Sequence, residues 1–144
     1  MKLYDGDGGR VKQVTSSGST TYIGSLFEIQ SEIGAAGKTL KHIYAGSNRI
    51  ASVSLRGGGT AEAIYYHSDH LGSSSVITDQ KGAQVSHYEY TPYGTTAVSE
   101  GSDATHYKFT GKELDSTGLY FYGARYYDPK IGRFITPATI VQPP

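Results

Sequence analysis

Tyr127-Asp128-Pro129-Lys130-Ile131-Gly132-Arg133, near the carboxy end, decides how this chain reads. A tyrosine and an aspartate open a turn, proline presets φ at its second position, and glycine supplies the backbone conformation that sends the chain back. The pattern occurs again near the amino end as Tyr4-Asp5-Gly6-Asp7-Gly8-Gly9-Arg10, and an apolar residue, Val11 or Phe134, follows each arginine. Tyr4, Asp5, Gly9 and Arg10 therefore repeat as Tyr127, Asp128, Gly132 and Arg133. The residues before the second copy, Gly118-Leu-Tyr-Phe-Tyr-Gly-Ala-Arg-Tyr126, are dense in aromatic rings and hold no obvious catalytic dyad.

Outward from these units the chain alternates rather than winding at helical period. Leu40, His42 and Tyr44 oppose Lys41 and Ile43; Ala51, Val53 and Leu55 oppose Ser52 and Ser54; Tyr88 and Tyr90 share a face with Ser86. Such alternation predicts strands: Val11–Thr15, Thr21–Ile23, Leu26–Gln30, Thr39–Ala45, Arg49–Leu55, Ala63–His67, Ser75–Thr78, Gln84–Tyr90, Tyr107–Thr110, Leu119–Tyr122, Arg125–Tyr127 and Arg133–Ile135. Asp79-Gln80-Lys81-Gly82 and Asp115-Ser116-Thr117-Gly118 both read Asp-x-x-Gly, a turn in which the carboxylate accepts local amides and glycine takes positive φ. The Tyr-Asp units are read as the same device one residue longer, and Thr91-Pro92-Tyr93-Gly94 as another turn. The sum is an all-β chain, an antiparallel meander of short, tyrosine-rich strands and hairpins. Gly57-Gly58-Gly59 marks a boundary between two halves.

Composition narrows the function classes. The 144 residues include 13 Tyr and 19 Gly but no Trp and no Cys. Without cysteine there is neither a disulfide framework nor a thiolate site. Thirteen basic residues balance 13 acidic ones, so no basic field draws nucleic acid. No apolar run approaches a membrane span of about 20 residues, and the amino terminus lacks the apolar core of a secretory signal.

The Tyr-Asp units resemble the YD repeat of the RHS (rearrangement hotspot) and YD-repeat family. Tyr65–Asp79 (YYHSDHLGSSSVITD), Tyr88–Gly94, Tyr107–Pro129 and Ile131–Pro137 resemble that family's repeat-associated core, in the family's order. The resemblance divides the chain into YD-repeat-like strands over residues 1–61 and a core-like segment over 62–144. It implies one long β-sheet spiralling into a hollow shell, which in bacterial members encloses a toxic carboxy-terminal domain, the core segment plugging one end. It further implies a secreted or cell-surface parent protein and, as partners, the remainder of the shell or a carboxy-terminal cargo domain. No cofactor is expected. The chain departs from the family at Ser74 and Ser75, where Thr-Arg is usual. It departs again at Ala138, where the family has an aspartate that resembles half of an autoproteolytic aspartate pair. A structural, non-catalytic shell segment is therefore expected, or the inactive remnant of a processing domain. Open sheet edges predict self-association.

Other chemistry reads weakly. His67, Asp69 and His70 place two imidazoles and a carboxylate within four residues, yet without the usual ligand spacing; a polar turn with Asp69 bonding local amides explains them better. Asp5-Gly6-Asp7 imitates part of a calcium loop, but no glutamate closes it. No serine sits on a Gly-x-Ser-x-Gly elbow. Tyr120, Tyr122, Tyr126 and Tyr127 are candidates for a carbohydrate- or protein-binding platform, against the alternative that they form cross-strand ladders. Arg10 and Arg133 are expected to pair with a carboxylate or stack on a ring.

Overall fold

The structure, a computed structural model, describes residues 1–57 and 59–137. A ten-stranded sheet runs in strict sequence order: β1 (Lys2–Tyr4), β2 (Arg10–Val14), β3 (Gly18–Ile23), β4 (Phe27–Glu32), β5 (Lys38–Ala45), β6 (Asn48–Arg56), β7 (Glu62–Ser68), β8 (Ser74–Asp79), β9 (Gln84–Tyr90) and β10 (Thr96–Gly101). Each strand pairs antiparallel with the next, and β6 pairs directly with β7 across the glycine stretch. A second sheet has four short strands, β11 (Glu113–Leu114), β12 (Tyr120–Phe121), β13 (Tyr126–Asp128) and β14 (Arg133–Phe134). The meander predicted from alternation is the fold.

The hairpins close as the turn chemistry dictates. Asp79 Oδ1 accepts from the amides of Lys81 and Ala83 at 2.8 and 2.9 Å, and Gly82 takes φ +81°. Gly118 and Gly132 take φ +79° and +64° after Asp115 and Asp128. The first Tyr-Asp unit corrects the expected length. Its left-handed residue is Gly8, at φ +80°, with the Gly8 amide donating to the Asp5 carbonyl, so it is as short as Asp-x-x-Gly. The second unit keeps the longer turn.

Three strands escaped the alternation reading: β1, β10 and β11, the first and last being short and polar on one side. The expected strand Tyr107–Thr110 is instead a tight turn. Tyr107 bridges to Glu113, a 3₁₀ turn occupies Phe109–Gly111, and Thr110 takes φ +50°. The strained threonine is held by its amide donating to Ser73 Oγ at 3.0 Å and its hydroxyl contacting Tyr122 Oη at 2.5 Å. Leu119–Tyr122 shrinks to Tyr120–Phe121 and Arg125–Tyr127 slides to Tyr126–Asp128.

The sheet is curved, and the carboxy-terminal segment lies in the curve. Arg10 of β2 reaches Glu113 and Asp115, while Tyr120 and Tyr127 donate to the carbonyls of Gly94 and Tyr93 at the β9–β10 turn. Ten strands at about 4.8 Å spacing span roughly 40 Å when flat, and a four-stranded sheet covers about a third of that. Contact with both ends requires the large sheet to curl. The apolar core is small: Tyr66, Ile77 and Tyr88, flanked by Ile64, Val85, Tyr90 and Ala104. Leu40, Ala51, Phe109 and Tyr120 are buried outside this cluster, and polar or charged side chains, among them Arg10, Glu28, His42 and Ser52, share the interior with them.

Candidate functional site

A polar seam runs between the concave face of the large sheet and the segment that lies in it. At one end is Arg10, the arginine of the first Tyr-Asp unit, whose side chain is 1% exposed. Its guanidinium forks onto Asp115, Nη1 to Oδ1 at 2.9 Å and Nη2 to Oδ2 at 3.0 Å, and Nη1 also donates to Glu113 Oε1 at 2.9 Å. The group lies 4.2 Å from the Phe121 ring centroid. Lys2 Nζ reaches Asp115 Oδ2 at 2.5 Å, Tyr22 donates to Glu113 at 2.7 Å, and the hydroxyls of Tyr4 and Tyr126 meet at 2.6 Å. Two carboxylates thus meet a buried arginine and a partly exposed lysine, the pairing a charge needs to leave water. The tyrosine and arginine of the repeat lock the first strands to a segment more than 100 residues later. The second unit is placed differently: Arg133 is exposed, and Tyr127 bonds the Tyr93 carbonyl at 3.0 Å.

The seam continues at Glu28, 1% exposed on β4. Its Oε1 accepts from His42 Nε2 at 2.9 Å and from the Tyr107 hydroxyl, and its Oε2 from Gln30 at 3.0 Å; His106 Nε2 lies 3.4 Å from Oε1. Burial alone pushes a carboxyl pKa up, but His106, His42 and Tyr107 outweigh it and hold Glu28 well below the usual carboxylate range. Burial opposes the charged form of His106, and the Glu28 carboxylate overcomes it, raising the imidazole pKa. Burial and the adjacent Glu28 charge push the Tyr107 phenol far up.

His42 Nδ1 contacts Ser52 Oγ at 2.7 Å, so serine, imidazole and carboxylate stand in a line that sequence reading did not find. The geometry resembles a hydrolase triad, but the surroundings do not suit one. Ser52 is 2% exposed, and its hydroxyl also bonds Tyr66 Oη at 3.0 Å, which continues to Thr105 Oγ1 at 3.1 Å. Ser52 lies mid-strand in β6, paired with His42 on one side and Ile64 on the other, so its local amides belong to a ladder rather than to an oxyanion hole. The 200 Å³ cavity beside the seam meets His42 and not Ser52. The line is a hydrogen-bonded spine joining β4, β5, β6 and β7 to the carboxy-terminal segment.

The singled-out residues are placed as follows. Tyr120 is fully buried, so no soluble ligand meets its ring. Tyr122 stacks edge-on against Tyr127 and Phe134 at 5.8 and 5.3 Å. Tyr126 accepts from Lys2 at 3.2 Å and from Arg10 at 3.0 Å. His67 Nε2 bonds Thr78 Oγ1 at 3.0 Å, and Asp69 Oδ1 accepts the amides of Leu71 and Ser73, both at 2.8 Å. Among the described residues no group of three or more His, Asp or Glu side chains is gathered to hold a metal. Ala138 lies outside the described residues. Glu28, His42 and Glu113 were missed; the signal for His42 was a polar residue in a core-facing slot between Leu40 and Tyr44, whereas Glu28 stands opposite Phe27 and Ile29 and reads as a solvent-side residue.

Comparison with known proteins gives a consistent answer. The teneurin YD-shell profile matches residues 36–142. Toxin subunit YenC1 of Yersinia entomophaga is 44% identical over 81 residues, 52% of this chain and 8% of that protein. The tRNA3(Ser)-specific nuclease WapA of Bacillus spizizenii is 29% identical over 140 residues, 92% of this chain and 6% of that protein. The Photorhabdus luminescens Tc holotoxin pore superposes with a TM-score of 0.81 at 28% identity, over 96% of this chain and 7% of that chain. The chain thus spans less than a tenth of the length of each of these three proteins. The curled meander, the Tyr-Asp turns and the seam form a piece of structural β-shell wall, and the chain belongs to the teneurin YD-shell family.

Proposed function

We propose that this segment builds and closes the wall of a larger YD-repeat shell that encloses a carboxy-terminal cargo domain in a secreted toxin or surface protein. In this reading residues 1–61 are wall and residues 62–144 carry the closing segment. The observation that supports it best is the Arg10–Asp115 fork, with both side chains at most 1% exposed, by which the start of the sheet grips the segment lying in its curve. A catalytic centre would leave its reactive groups reachable; this interior turns its charges on one another. Enzymatic function, in this reading, resides in cargo and not in the wall, as the nuclease name of one relative suggests. Ala138, at the position of a family aspartate, leaves the segment unable to cleave itself. No helix among the described residues is long and apolar enough to cross a membrane.

The test is intact-mass measurement of the purified chain after long incubation from acid to neutral pH, expecting one species. A defined pair of fragments, abolished by changing one carboxylate, overturns the non-catalytic reading. In a parent protein carrying a cargo, the cargo should resist added protease until the shell is opened; cargo digested at the rate of the free domain overturns encapsulation.

A further inference from the structure

The concave face holds a cleft of about 610 Å³, between β2, β3, β5, β6 and the Tyr107–Glu113 turn, within the size range of small-ligand sites. Arg49 lines it. Unlike Arg10, Arg49 has no carboxylate within ion-pair distance among the described residues. Its guanidinium carbon lies 3.2 Å from the Tyr107 ring centroid, 5.3 Å from Tyr44 and 5.8 Å from Tyr66, and Nη2 donates to the Tyr44 hydroxyl at 2.7 Å. Its Nε is shielded from solvent and has no hydrogen-bond partner. Three tyrosine rings fix the cation in place; Nε is out of a ligand's reach, and Nη1, which has no protein acceptor among the described residues, together with the second N–H of Nη2, is left to a ligand. The anions that line the cleft are already engaged: Asp5 Oδ1 accepts the amides of Asp7 and Gly9, and Glu113 accepts from Arg10 and Tyr22. Lys112, exposed on the rim, adds a second cation. Three cations, Arg10, Arg49 and Lys112, line the cleft against two carboxylates, Asp5 and Glu113, so its net charge is positive.

We propose that this cleft is a carboxylate-binding site that takes a Glu or Asp side chain of a polypeptide lying against the concave face. A planar fork held by stacking matches a carboxylate two-on-two. An acidic sugar fits less well, because a sugar ring needs an open aromatic face, and the Tyr107 face is covered by Arg49. The inference does not depend on what the shell encloses, so its failure and that of the wall reading are separable.

The probe is acetyl-Ala-Glu-Ala-amide, titrated into the 144-residue chain while the Arg49 Nε–H and Tyr107 ring signals are followed by NMR. The neutral Gln peptide and glucuronate serve as comparisons. The Glu peptide should shift both signals saturably and bind about tenfold more tightly than the Gln peptide, charged hydrogen bonds being roughly twice as strong as neutral ones. Arg49→Met should abolish the shifts and Arg49→Lys should weaken them severalfold. Because Arg49 also packs on three rings, Lys112→Gln at the exposed rim provides a variant that leaves the fold alone, with measurably weaker Glu-peptide binding expected. Equal binding of Glu and Gln peptides, no saturable shift, binding unchanged in Lys112→Gln, or glucuronate binding more tightly than the Glu peptide would overturn the proposal.

Discussion

Replacing Arg10 with methionine removes the cation that holds two carboxylates in the interior. The side chains of Asp115 and Glu113 are 0% and 11% exposed, so neither recovers full hydration when the guanidinium is gone. Breaking a buried pair by deleting one partner costs about 3–5 kcal/mol, because the remaining charge is uncompensated. Lys2 still touches Asp115, and Tyr22 still donates to Glu113, so the lower end of that range is expected. With a urea slope of about 1–3 kcal/mol/M, the midpoint should fall by roughly 1–3 M. Tyrosine fluorescence reports unfolding, since the chain has no tryptophan. Adding Lys2→Met to Arg10→Met should cost more than the sum of the single changes by about 0.5–3 kcal/mol, because Asp115 then loses both cations. Arg10→Lys should fall between wild type and methionine, keeping charge but losing the fork. A loss below about 1 kcal/mol for Arg10→Met, in the range of a solvated surface pair, would refute the claim that the seam holds the sheet to the carboxy-terminal segment.

Gly94 has φ +89°, and a Cβ there would sit 2.4 Å from Phe109 Cδ1, whereas Gly82 has φ +81° with nothing within 4 Å. Gly94→Ala should therefore lower the thermal midpoint clearly more than Gly82→Ala, which carries the left-handed penalty of about 1–2 kcal/mol alone; equal losses would mean the ring yields freely. Ile77→Ala should cost about 2–5 kcal/mol in chemical denaturation because Ile77 is fully buried, while Ile33→Ala, at 80% exposure, should stay within about 0.5 kcal/mol. The folded-state pKa of Glu28 is depressed, so its contribution is fully present above its unfolded value of 4.5 and is lost as pH falls through the folded value. The pKa of His106 is raised, so its contribution is present below 6.5 and is lost as pH rises through the folded value, moderated by a side chain one-third exposed. Urea midpoints should therefore be highest between 4.5 and 6.5 and fall on both sides, with the acid limb flattened in Glu28→Gln; a midpoint that rises monotonically with pH would contradict this.

Period and turn chemistry are local properties, and the sequence by itself settled what depends on them. Side chains alternate every second residue in any strand, so the faces of β5 and β9 were legible: Leu40 and His42 are buried beneath exposed Lys41, and Ser86 and Tyr88 are buried together. Asp-x-x-Gly closes a turn through its own amides, so Gly82 and Gly118 were legible too, and the paired Tyr-Asp units pointed to the family. Alternation does not say which face becomes the interior. In β6 the sequence sets Ala51, Val53 and Leu55 against Ser52 and Ser54, yet Ser52 is 2% exposed and Leu55 49% exposed. The reason lies in the partners Ser52 finds: it bonds His42 and Tyr66 on the neighbouring strands, Tyr66 passes the chain on to Thr105 of the segment that arrives afterwards, and burial follows the partners a side chain meets. The same holds for Arg10 and Arg133, alike in motif and opposite in fate. One meets Glu113 and Asp115, more than 100 residues away along the chain, and the other faces solvent, a contrast that no local pattern encodes.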